Sequence, residues 1–231
     1  MSAFSVIHTA ASVLVLSDGA MVDETTGVLI GTAGKVFPLP KQNAVMVQRG
    51  SGLASFLYNK VSMMGNTFDE LEMRIGDGLY GFLGDAIAKD KAVGAAWTEF
   101  DILIAGISEK SRGPRSFIVM SFDHPLHDQI KAWQPFDTGP TPWLTPGTDE
   151  MLAMIDPTIF DPERDGIRIM EAQRQILQPQ GPKGGLRYIT GGFAQLTTVT
   201  KEQITTKIIH RWPDKIGEKI TPADTPLLAA K

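Results

Sequence analysis

Helical segments arrive in this chain in consecutive pairs, each pair enclosed by β-rich runs, and that order excludes most folds open to a sequence of this kind. The first fifty residues hold short β-rich runs at 4–9, 12–16, 27–30, 36–39 and 44–48, separated by polar or glycine-containing turns. After Gly50-Ser51-Gly52 the apolar period changes, with Leu53, Phe56, Leu57 and Val61 at helical spacing. Thr67-Phe68-Asp69-Glu70 has the form of a capping box and starts a second helix, whose stripe runs through Leu71, Ile75, Leu79, Phe82, Leu83 and Ile87. Runs 100–107 and 116–122 then flank a turn-rich segment and predict a hairpin with an exposed loop. Six prolines from Pro135 to Pro162 mark a long irregular connection. A helical pattern returns at 149–155 and again through Ile169, Met170, Gln173, Ile176 and Leu177, until Gly181-Pro182 ends it. Runs 192–200 and 203–212 predict a closing hairpin around Lys201-Glu202, and 221–231 reads as a loose tail.

Paired helices argue against a parallel βαβ sheet. Two antiparallel sheets covered by helices bury every stripe, which predicts an α+β fold, a four-layer αββα sandwich. A chain of 231 residues with no linker-like break is long enough for one core, so residues 1–220 are expected to form a single domain. The formal charge of −4 and the absence of a basic run offer no footprint for nucleic acid or an anionic membrane. No cysteine is present, which excludes disulfides, thiolate metal sites and cysteine nucleophiles. The apolar stretch 12–16 lacks the length of a membrane span and the charged flank of a signal peptide, so a cytoplasmic location is expected.

Four ordered motifs follow one another near the start: Ser12-Val13-Leu14-Val15-Leu16-Ser17-Asp18, Thr25-Thr26-Gly27, Lys35-Val36-Phe37-Pro38-Leu39 and Val45-Met46-Val47-Gln48-Arg49-Gly50. Further along stand Asp101-Ile102-Leu103-Ile104-Ala105-Gly106, then Gly113-Pro114, then Thr190-Gly191-Gly192-Phe193 followed by 196–200. In this order and spacing the chain resembles the proteasome β-subunit family and its bacterial relatives, members of the N-terminal nucleophile hydrolase superfamily. The resemblance covers most of the chain outside 135–165 and the tail, and it implies the αββα fold of that superfamily.

It also implies a chemistry. In the family the nucleophile is a threonine at the mature N-terminus, sixteen residues before the Asp; here that position is Ser2 (18 − 16). A second-position serine is small enough for Met1 to be removed. By the resemblance Ser2 is the nucleophile, Lys35 the cation that favours its alkoxide, Asp18 the partner of Lys35, and Thr190 the counterpart of a serine in the Gly-Gly turn. A free α-amine, with a reference pKa of about 7.7–8.0, serves as the base and no histidine is required. The implied protein is a peptide or amide hydrolase without cofactor or metal, assembled as a homo-oligomer such as a ring, with any ATPase partner left open.

Two departures motivate an alternative, a catalytically silent fold of the same type acting as an assembly or structural subunit. Arg187 stands where the family has an Asp, three residues before the turn hydroxyl. The segment Thr138-Gly139-Pro140-Thr141-Pro142-Trp143 stands where a Gly-Ser-Gly site loop is expected. A third class, a zinc hydrolase, rests on Asp123-His124-Pro125-Leu126-His127-Asp128. Pro125 prevents the helical register of two-histidine motifs there, which favours a polar loop. His8 and His210 stand alone and read as strand residues.

Overall fold

The computed structural model of the protein describes residues 3–23, 25–50, 53–93, 99–125, 127–156, 158–179 and 185–222. In chain order the strands before the first helix are β1 (Phe4–His8), β2 (Val13–Asp18), β3 (Ala20–Val22), β4 (Leu29–Thr32), β5 (Val36–Leu39) and β6 (Ala44–Gly50). Helices α1 (Ala54–Val61) and α2 (Phe68–Ala92) follow, then β7 (Phe100–Ser108), β8 (Gly113–Met120), β9 (Phe136–Asp137) and β10 (Trp143–Thr145). Helices α3 (Asp149–Leu152) and α4 (Arg164–Arg174) precede β11 (Gln178–Pro179), β12 (Leu186–Arg187), β13 (Phe193–Val199) and β14 (Ile204–Arg211).

Two five-stranded sheets carry the fold, one in the order β10-β1-β2-β13-β14 and the other β5-β6-β7-β8-β9, with antiparallel pairing throughout. Side chains alternate between the faces of a strand, and that alternation sorts the core. From β2, Val13 and Val15 join Val45, Val47, Leu103 and Ala105 of the other sheet in a central cluster. Leu14 and Leu16 face the opposite way, onto Met151, Ile169 and Met170 of the second helix pair. On the other sheet Met46, Ile102, Ile104 and Phe117 meet Leu57, Val61, Leu71, Ile75 and Leu79 of the first pair. This mixed α+β packing of antiparallel sheets and helices is compatible with the sandwich expected from the sequence. No helix among the described residues is long and apolar enough to cross a membrane.

The capping box forms with one change. Glu70 N–H donates to Thr67 Oγ1 at 3.1 Å, but the Glu70 carboxylate reaches back to Asn66 N–H at 2.9 Å rather than to Thr67. Other expectations need adjustment. The run expected at 27–30 begins as a strand at Leu29 and pairs with β3. The proline-rich connection holds two short edge strands, β9 and β10, the latter in register with β1 through Phe4 and Thr145. Ile176 and Leu177 lie beyond the end of α4. The expected tail falls largely outside the described residues, which stop at Pro222.

Candidate active site

Asp18 closes β2 and is fully buried, a costly place for a carboxylate unless every lone pair is used. Among the described residues four donors use them. Oδ1 accepts from Ala3 N–H at 3.0 Å and from Lys35 Nζ at 2.8 Å; Oδ2 accepts from Ala20 N–H at 3.0 Å and Gly191 N–H at 3.3 Å. One anion thus ties together the residue before β1, the start of β3, the link between β4 and β5, and the turn leading into β13. Charge-assisted bonds of this kind are the strong ones. Lys35 comes from a different environment: its side chain keeps 14% exposure while Asp18 has none.

The turn Thr190-Gly191-Gly192 completes the centre. Gly192 has φ of +73°, and a Cβ there would fall 2.7 Å from Thr32 Cγ2, so only glycine lets the chain pass. Gly191 O accepts from Gly19 N–H at 3.1 Å, which draws the turn onto the end of β2. Thr190 is buried, and its Oγ1 finds no hydrogen-bond partner among the described residues. Its carbonyl accepts from Arg174 Nη1 at 2.8 Å.

Of the four residues expected to act together, Asp18 and Lys35 are in direct contact and Thr190 is one residue from a direct ligand of Asp18. Ser2 lies outside the described residues. The atom bonded to it, the backbone nitrogen of Ala3, is the one that donates to Asp18.

Arg187 does not enter this network. Its Nη2 donates to Thr25 O at 2.9 Å, and its side chain lies against Gly27, where a Cβ would be 2.6 Å from Arg187 Cδ. The cation braces the β3–β4 turn. The segment 138–143 also packs away from Asp18. Thr138 Oγ1 contacts Ser116 Oγ at 2.5 Å, and Ser116 Oγ contacts His8 Nε2 at 3.0 Å, at the end of β1 remote from Ala3. The residues that do lie by the start of β1 are Thr145 and Pro146. Thr145 is paired with Phe4, and Gln173 Nε2 donates to both Phe4 O (3.1 Å) and Pro146 O (2.9 Å).

The histidine-rich loop follows β8. The rings of His124 and His127 stand 4.6 Å apart, and Leu126 between them lies outside the described residues. Burial and then the neighbouring His127 lower the His124 pKa. Among the described residues no group of three or more histidine or acidic side chains is arranged to hold a metal ion. His8, in a strand as expected, has its pKa lowered by burial, which outweighs the nearby Asp137 carboxylate. His210, also in a strand, has Nε2 3.6 Å from Glu171 Oε1.

The residues that sequence reasoning missed are Arg174 and Asp214. Their buried ion pair stands directly behind Gly191, with bonds of 2.8 and 2.5 Å. Forty residues separate them and neither belongs to a local motif, so nothing in the sequence pairs them. No protein-family model matches this chain, and no curated protein matches it.

Proposed function

We propose that the protein is an N-terminal nucleophile hydrolase of proteasome-like type, acting on an amide or peptide bond with Ser2 as nucleophile once Met1 is removed. The observation that carries this reading is the shared use of Asp18 Oδ1 by Ala3 N–H and Lys35 Nζ, because it brings the residue bonded to Ser2 and the ammonium to one oxygen. The position of β1 beside β2, with helices on the outer faces of both sheets, supports the corresponding fold.

In this reading the α-amine of Ser2 takes the proton of its own hydroxyl, directly or through water. The oxygen attacks the substrate carbonyl, the amine leaves with a proton, and water releases the acyl group to restore Ser2. The Lys35 ammonium stabilises negative charge as it develops on oxygen. Asp18 fixes the Lys35 ammonium. Assembly into a homo-oligomer belongs to the same reading and is checked by sizing.

Intact-mass measurement of protein from its native host, followed by incubation with a serine-directed β-lactone, tests the proposal. Loss of Met1 and a single adduct on Ser2, abolished by Ser2→Ala, is the expected result. Retained Met1 with no adduct refutes it. The second reading, a silent subunit, is favoured by one observation, the use of Arg187 on Thr25 O in place of an acceptor at the site. Amide turnover that disappears in Ser2→Ala would exclude that reading.

A further inference from the structure

We infer that Arg174 and Asp214 are positioning residues for the Asp18–Lys35 centre, acting through the Thr190-Gly191-Gly192 turn; the inference rests on the hydrolase reading of that centre. Asp18 holds the turn by Gly191 N–H, and at 3.3 Å this is the longest of the four contacts the carboxylate accepts. That side alone is a loose grip.

The opposite side is tighter. Arg174 Nη1 donates to Thr190 O at 2.8 Å, and Gly192 N–H donates to Asp214 Oδ2 at 2.8 Å. The guanidinium and carboxylate close on each other through two bonds, Nη1 to Oδ2 at 2.8 Å and Nη2 to Oδ1 at 2.5 Å. Both side chains are buried, at 4% and 6% exposure. A Cβ on Gly191 would fall 2.5 Å from Asp214 Oδ2 and 2.7 Å from Arg174 Nη1, so the pair lies against the Cα of the residue whose N–H faces Asp18. All three turn residues are therefore clamped, the first by its carbonyl and the third by its amide, with the second pressed toward the site.

The charge balance suits the same task. The Asp214 charge beside Gly191 is cancelled on the spot by Arg174. A buried ion pair is weak evidence for stability as such, whereas its two-point geometry fixes orientation. The last turn of α4 extends the same control to β1. Gln173, adjacent to Arg174, holds Phe4 O and Pro146 O with one amide. Both walls of the centre are thus referred to one helix end.

The test compares wild type with Asp214→Asn, Arg174→Lys and the double variant R174Q/D214N, which removes both charges together and so leaves neither buried alone. Hydrogen exchange of individual amides is followed by NMR alongside acylation of Ser2 by the β-lactone. Gly191 N–H is the informative probe, because it donates to Asp18 and not to the mutated pair. Its exchange is expected to rise about tenfold or more in Asp214→Asn and the double variant while Leu196 and Thr198 of β13 keep wild-type rates. Acylation is expected to slow by roughly 10- to 100-fold at saturating probe, with little change in the half-saturating concentration, and Arg174→Lys recovers part of both. Gly191 exchange that is unchanged, or that rises only in step with β13, overturns the inference. So does wild-type acylation in the variants, which would leave the hydrolase reading intact. If wild type takes up no probe but Gly191 still loosens selectively, the coupling stands and the hydrolase reading falls.

Discussion

Removing either partner of the Asp18–Lys35 pair should have very unequal effects on stability, and the inequality can be worked from the contacts. Asp18→Asn replaces a carboxylate that accepts four donors with a group that has one acceptor oxygen and two N–H donors of its own. Whichever way the amide turns, its NH2 faces two donors: Ala3 N–H and Lys35 Nζ in one orientation, Ala20 N–H and Gly191 N–H in the other. Breaking a buried pair by removing one partner costs about 3–5 kcal/mol, and the repulsion between donors places this substitution in that range. Lys35→Met instead removes one donor of the four, keeps most of the aliphatic stem, and leaves the carboxylate with three backbone N–H groups. The lysine is also 14% exposed, so its cost should be about 1–2 kcal/mol. Urea unfolding of the two variants and wild type at pH 7, with slopes checked for equality, measures the difference. Asp18→Asn should lose at least about 1 kcal/mol more than Lys35→Met. Equal losses, or a greater loss for Lys35→Met, would refute the argument that backbone donors rather than the ammonium hold Asp18.

Two glycines of α2 should respond to alanine with opposite signs. A Cβ added at Gly81 would meet only open space, so Gly81→Ala should raise stability by about 0.8–1 kcal/mol from helix propensity alone. Gly76 would place a Cβ 2.0 Å from Trp133 O, and the overpacking should outweigh that gain and leave Gly76→Ala about 1–2 kcal/mol less stable. Thermal or urea unfolding separates the two. His8 has a folded pKa below its unfolded value, so the unfolded chain binds the extra proton as pH falls through 6.5. Stability from this group is full above that pH and declines below it, and His8→Asn should flatten the decline in urea midpoints measured from about pH 7.5 downward.

The parts of the fold legible in the sequence are those whose signal is local. The stretch Val13–Leu16 reads as continuously apolar because both of its faces are buried, the odd positions between the sheets and the even ones under α4. The start of α2 is readable because Thr67 and Glu70 act on amides within a few residues. The strands β9 and β10 are not readable. They have two and three residues, lie among prolines, and exist because of partners in β8 and β1 that are distant in sequence. The centre divides in the same way. Asp18 and Lys35 stand out by resemblance in spacing, whereas Arg174–Asp214 and the Gln173 bridge depend on contacts formed only after α4 has docked. The placement of 138–143 shows the limit of reading by sequence position. Counting along the chain puts that segment at the site, but the register of β10 on β1 sets Thr145, not 138–143, opposite Phe4 at the start of β1.

Asp18 and Lys35 therefore bear differently on the choice between an enzyme and a silent subunit. A silent version of this fold would still need Asp18, since three backbone N–H groups from separate segments converge on it. Finding Asp18 in place thus discriminates little. Lys35 contributes one bond to that assembly, and among the described residues Asp18 is its hydrogen-bond partner. The side chain gives up conformational freedom to make a contact that leaves three backbone donors on Asp18 when it is removed. The proposed hydrolase chemistry would give that arrangement a reason, because Lys35 Nζ and Ala3 N–H share one oxygen of Asp18. Lys35→Met should accordingly remain folded, with wild-type protection of the Ala20 and Gly191 amides, and yet lose acylation of Ser2. A variant that keeps both the amide protection and the acylation would leave Lys35 without a catalytic role and favour the silent subunit.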